Sequence, residues 1–111
     1  MSEVLVLIDR GQPAGGLPPG ALVVPFATVV DAVVALKATT VPAVICTGGL
    51  APEDLEPLAA AVAAHPSPCI EVRNDAWDGE SHSPVAAACR GVISGFGVAG
   101  IRRAVELLAA S

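Results

Sequence analysis

Five short apolar runs punctuate the chain, and longer stretches with a helical repeat separate most of them. The first is Val4-Leu5-Val6-Leu7-Ile8. Its apolarity is continuous rather than alternating, which implies burial on both faces, as in a parallel sheet. Asp9 and Arg10 follow at its carboxyl end. The second run is Ala21 to Phe26. Pro25 lacks an N–H, so this run is expected at a sheet edge or to stop before Pro25. Ala43 to Cys46, Cys69 to Arg73 and Gly91 to Ser94 complete the set.

Between these runs the pattern changes. Gly11 to Gly20 has no periodicity and is rich in Gly and Pro, so it reads as a loop. Thr28 to Ala38 reads as a helix, with Thr28 and Asp31 spaced like a capping box. Val29, Val30, Val33, Val34 and Leu36 are expected to form its apolar face. Pro52, Glu53 and Asp54 look like a helix start, but Pro57 favours a first full turn near Asp54 or Leu55. Leu55, Leu58, Ala59, Val62 and Ala63 would be its buried stripe. Asn74 to Pro84 is a polar loop. The last helix runs from Val98 to Ala110, with Val98, Ile101, Val105 and Leu108 inward. Alternating strands and helices over residues 1–111 predict one α/β domain with a parallel sheet. Ligands of such sheets sit beyond the carboxyl ends of the strands. That rule marks Asp9 and Arg10; Cys46, Thr47 and Gly48; Arg73, Asn74 and Asp75; and Ser94 to Gly97.

Composition narrows the possibilities. Hydrophobic residues make up 53% and charged residues 15%, against about 25% charged in an average domain. Disorder is excluded. A net charge of −5 and an aromatic content of 3% argue against nucleic acid as a partner. So few charges cannot cover an isolated small domain, and a homo-oligomer is expected. The opening residues lack a basic signal-like region, and no stretch reads as a membrane span. A cytoplasmic protein without membrane contact is expected. Cys46, Cys69 and Cys89 have no C-x-x-C spacing and read as reduced, buried thiols. No metal or cofactor is expected. Gly95-Phe-Gly97-Val-Ala-Gly100 fits the dinucleotide fingerprint, yet only 11 residues follow it, too few for the required βα unit and acidic residue.

Three segments carry a resemblance. They are Ser67-Pro-Cys-Ile-Glu-Val-Arg73, then Ser83-Pro-Val-Ala-Ala-Ala-Cys-Arg-Gly-Val-Ile-Ser-Gly-Phe-Gly97 with the helix after it, and Ala43-Val-Ile-Cys-Thr-Gly48. Together they resemble the type II dehydroquinases over about 70 residues. The first 40 residues match poorly. The resemblance implies a flavodoxin-like parallel sheet of about five strands, order 2-1-3-4-5. Helices would cover both faces, with the first crossover helix missing. It also implies trimers that assemble into dodecamers. The family eliminates water from 3-dehydroquinate, using a Tyr and an Arg on a loop and a His. This chain has no Tyr. The family's Asn after the third strand falls on Cys46, and its next His on Pro52. Its Glu-Val-His becomes Glu71-Val72-Arg73, and its anion-binding loop shortens to Asn74 through Ser83, with His82 inside. The family's own reaction is therefore not expected, since each lost acid/base role forfeits about 10²–10⁴-fold.

The remaining groups still permit chemistry. Glu71 and Arg73 alternate along one strand and share a face. His82 lies among acidic neighbours, which favour its charged form. The candidate catalytic residues are Glu71, His82 and Arg73. The candidate substrate-binding residues are Asp9, Arg10, Cys46, Thr47, Gly48, Asn74, Asp75 and Ser83. Cys46, before a helix start, would have a lowered pKa if it were reactive. The plain readings run beside these: Glu71–Arg73 as a structural or inter-subunit ion pair, His82 as a solvated loop residue, Cys46 as a small buried hydrophobe and Trp77 as an oligomer or loop-packing anchor. His65 is expected to hold the carbonyls of the helix end before it. Arg102 and Arg103 are expected on a solvated face or at a subunit contact. Two functions compete. One is an enzyme repurposed for elimination, isomerisation or cyclisation of a small oxygenated cyclic or carboxylate substrate. The other is a non-catalytic binder or scaffold.

Overall fold

A computed structural model of the chain describes residues 3–9, 17, 20–47, 52–73, 89, 91–94 and 98–110. The strands are β1 (Val4–Asp9), β2 (Ala21–Phe26), β3 (Ala43–Cys46), β4 (Cys69–Arg73) and β5 (Gly91–Ser94). The helices are α1 (Val29–Lys37), α2 (Pro52–Ala64) and α3 (Val98–Ala109). All pairings are parallel and the order is β2-β1-β3-β4-β5. This is the flavodoxin-like order expected above. The missing first crossover helix concerns residues 10–20, of which only 17 and 20 are described.

The two-residue period of the strands sorts the core into two layers. Leu5, Leu7, Ala43, Ile45 and Cys69 face α1 and α2, where Leu36, Leu58 and Val62 meet them. Val4, Val6, Ile8, Val44, Cys46, Ile70 and Val72 face α3, against Ile101, Ala104, Val105 and Leu108. The unbroken apolar runs therefore do mark burial on both faces. Leu17, between β1 and β2, and Ala21 pack on the α3 layer. Gly20 turns the chain into β2 with φ 95°, and its carbonyl accepts from the Val4 N–H at 3.0 Å. A side chain there would be strained. β2 runs on through Pro25 because it is an edge strand.

The helices depart from the sequence reading in instructive ways. Thr28 caps α1, its Oγ1 accepting from the Asp31 N–H at 3.4 Å. Only one side of α1 is buried, through Ala32 and Leu36. Val30 and Val34, expected in its apolar face, point to solvent at 66% and 62% exposure. Four valines on both sides of a nine-residue helix leave the inward side unmarked. α2 starts at Pro52, earlier than expected, and holds Pro57 inside. Pro57 is exposed and forgoes one helical hydrogen bond there. The α2 stripe is Leu58, Ala59, Ala61 and Val62; Ala63 is exposed. On α3, Ala104 joins Ile101, Val105 and Leu108, while Arg102 pairs with Glu106 on the outer side at 3.3 Å.

Leu36→Ala should cost about 2–5 kcal/mol, since Leu36 is fully buried. Glu56→Ala, on the exposed side of α2, should change stability by less than about 0.5 kcal/mol. Urea unfolding of the two variants reads the difference.

Candidate functional site

The register aligns the carboxyl ends of the strands. Leu7 pairs with Ile45, Cys46 with Val72, and Arg73 with Ser94. Continuing the same offsets brings Asp9, Thr47, Arg73 and Ser94 into one row. The Thr47 N–H donates to the Val72 carbonyl at 3.1 Å, which extends the ladder beyond β3. Below this polar row the sheet turns apolar, through Ile8, Cys46, Val72 and Ile93. One level further down stand Leu7, Ile45, Glu71 and Val92. Glu71 is the one charged member of those two levels.

Thr47 is buried and Arg73 half-buried at the row itself. Glu71 is completely buried, at 0% exposure. By strand alternation it shares the α1/α2 face with Cys69 and Arg73. Both Glu71 and Arg73 have interaction partners. Cys89 packs against the same layer. Burial pushes its thiol up to about 12, helped by the charges of Cys69 and Glu71. The lowered pKa considered for Cys46 is overturned. Cys46 is packed against the α3 layer, and burial pushes its thiol up to about 12. Its neutral form is the stable one there, so it is a small buried hydrophobe at the floor of the row. The reading of all three cysteines as free thiols holds, with Cys46 and Cys69 buried and Cys89 half-buried.

Of the expected site residues, the structure brings Asp9 (by its backbone register), Thr47, Glu71 and Arg73 to the carboxyl edge of the sheet, and puts Cys46 on its α3 face. Arg10, Gly48, Asn74, Asp75, His82 and Ser83 lie outside the described residues, as does Trp77. Ser94 was not among the expected site residues, although the strand-end rule marked its position. Only the register shows that it lies level with Arg73. Among the described residues no group of three or more His, Cys, Asp or Glu could hold a metal ion. No described helix is long and apolar enough to cross a membrane.

The opposite edge of the sheet is built differently. A cleft of about 190 Å³ lies there between the ends of α1 and α2, lined by Leu36, Lys37, Thr39, Ala61, His65 and Pro66 among others. His65 does not hold the end of its own helix with its ring. Its Nε2 lies 2.7 Å from the Val41 carbonyl, across the cleft, while its backbone N–H reaches the Val62 carbonyl at 3.1 Å. Ser67 Oγ donates to the Thr40 carbonyl beside it. These bonds clasp the segments that follow the two helices.

A three-layer parallel sheet with a polar row at its carboxyl edge defines the class. Solved structures place it more narrowly. The chain superposes on a type II dehydroquinase from Propionibacterium acnes with a TM-score of 0.81, covering 100% of both chains at 20% identity. It also matches a 3-dehydroquinate dehydratase-like protein from Bifidobacterium longum, with a TM-score of 0.72 and 19% identity, over 99% of this chain and 97% of that one. The described residues thus share the fold of these type II dehydroquinase structures. No known family profile matches the sequence, and no curated protein matches it.

The thiols carry a pH signature. Native Cys46 and Cys69 keep their protons to about 12 and about 11, against an ordinary 9.0. The unfolded chain loses those protons first, so stability is intact below about pH 9 and falls as the pH rises toward 11. The slope reaches about 1.4 kcal/mol per pH unit for each thiol. Urea midpoints at about pH 8 and about pH 10.5 should show the loss, and Cys46→Ala should reduce it.

Proposed function

We propose that the carboxyl edge of the sheet binds a small oxygenated carboxylate, cyclic or open, and that the protein acts on it as a lyase-like enzyme. The observation that carries this reading is Arg73, half-buried at the end of β4. It stands in one row with Asp9, Thr47 and Ser94. A guanidinium there offers two parallel N–H donors to a carboxylate, in a partly dry setting that strengthens them. Glu71 and His82 serve as the acid/base groups for elimination, isomerisation or cyclisation. Asp9, Arg10, Thr47, Gly48, Asn74, Asp75 and Ser83 line the site, while Cys46, buried on the α3 side, does not. The fold shared with a dehydroquinase and with a 3-dehydroquinate dehydratase-like protein supports the lyase class. The lack of any Tyr separates the chemistry from the proton abstraction that the resemblance implies. The protein works in the cytoplasm, self-associates as trimers or larger assemblies, and needs no metal or cofactor.

The complete burial of Glu71 favours a second reading. Two residues below the rim, on the face it shares with Arg73, its carboxylate would orient the guanidinium and transfer no proton. The protein would then be a binder or scaffold that kept the anion site.

A thermal-shift screen with cyclic carboxylates, quinate- and shikimate-like acids and small phenolic acids separates these readings. A ligand at 100 times its dissociation constant should stabilise the protein by about 2.7 kcal/mol, and Arg73→Ala should abolish the shift. Turnover of that ligand, lost in Glu71→Gln or His82→Ala while binding persists, supports the enzyme. Binding without turnover supports the binder. A shift that survives in Arg73→Ala removes Arg73 from the site and sinks both.

A further inference from the structure

Helix α1 shows solvent a stripe that no core of this chain uses. Val30 and Val34, 66% and 62% exposed, are its centre. They stand four residues apart and so are neighbours on the helix surface. Ala27, Asp31, Lys37 and Ala38 are exposed around them. Leu22, 42% exposed on the edge strand β2, lies on the same side of the sheet by its alternation with Val24 and Phe26.

The charges say what can cover such a stripe. The chain carries a net charge of −5, so two copies repel one another over most approaches. The outer side of α2 would add to this, since Glu53, Asp54 and Glu56 are unbalanced by any base on that helix. Helix α1 is neutral, with one acid, Asp31, and one base, Lys37. Lys37 is the only lysine of the chain, and the only Lys or Arg between Arg10 and Arg73.

The spacing of these charges is self-complementary. Asp31 and Lys37 stand three residues to either side of Val34. When two α1 helices meet antiparallel about Val34, Asp31 of each copy comes level with Lys37 of the other. The helix dipoles then oppose, which is also favourable. A parallel meeting would bring like charges level instead. The long stem of lysine can cross the seam while its apolar part covers valine.

We propose that this stripe is an interface with a second copy of the chain, α1 against α1, antiparallel about a two-fold axis at Val34. The contact is isologous, so each copy gives and receives the same residues. The proposal rests on the self-association part of the reading above and is independent of the carboxylate site.

The test is the mass in solution, by sedimentation equilibrium, of the wild type and four variants. Val34→Asp should raise the dissociation constant at least about tenfold, or halve the mass of a larger assembly. Circular dichroism should stay unchanged, because Val34 is outside the core. Asp31→Lys and Lys37→Asp should each weaken association, and the double variant should restore it. A wild type that is monomeric at every concentration overturns self-association as a whole. A wild type that associates, with Val34→Asp unchanged, overturns this face alone. Two weakened single variants without rescue in the double overturn the antiparallel register.

Discussion

The middle of the sheet must stay dry on both sides, and the rest of the structure follows from that. Strands β1, β3 and β4 carry side chains that are almost all below a tenth exposed, whichever way they point. Burial of each such Leu, Ile or Val contributes about 1.5–3 kcal/mol. It requires a helical layer on each face, and α1 with α2 on one side and α3 on the other supply it. Small residues make the fit close. Ala43 and Cys69 lie under the first layer, and Cys46 and Ala104 belong to the second. The same dryness explains the thiols, whose charged forms the interior disfavours.

Into this apolar slab the sequence inserts one carboxylate. Glu71 stands between Ile45 and Val92 in the register, where a charge without partners would cost several kcal/mol. It has partners, and the fold bears the cost of assembling them. A buried acid is retained against that cost when something at the surface needs it. The nearest surface group on its own face is Arg73, two residues on. On the reading proposed above, the polar row at the rim and the acid beneath it would act as one unit, with a half-buried member and a hidden one.

The strands were legible almost residue by residue. Most are short apolar runs, β4 being interrupted by Glu71, and β3, β4 and β5 begin and end where the sequence marks them. The helices were less so. Val30 and Val34 look like core because valine on a helix says nothing about which side packs, and only Asp31 and Lys37 mark the solvent side. Pro57 delayed the expected start of α2, although the exposed side of the helix bears the loss of one hydrogen bond there. At the site, strand ends were enough to point to Thr47, Arg73 and Ser94. Alternation told which face Glu71 occupies, but not its depth. Depth depends on how far the neighbouring strands and helices reach past a residue, and that is a property of register rather than of any one segment.

The proline in β2 has a further effect. A proline fits within a strand when its missing N–H faces away from the ladder, and Pro25 sits in the outermost strand, paired with Ile8 on its inner side. The free margin of the sheet therefore has a gap in its donors. Leu22 and Val23, both well exposed there, would otherwise make that margin sticky toward any extended chain. With the gap, a foreign strand cannot zip along its full length, and the sheet resists fibrous growth at this end.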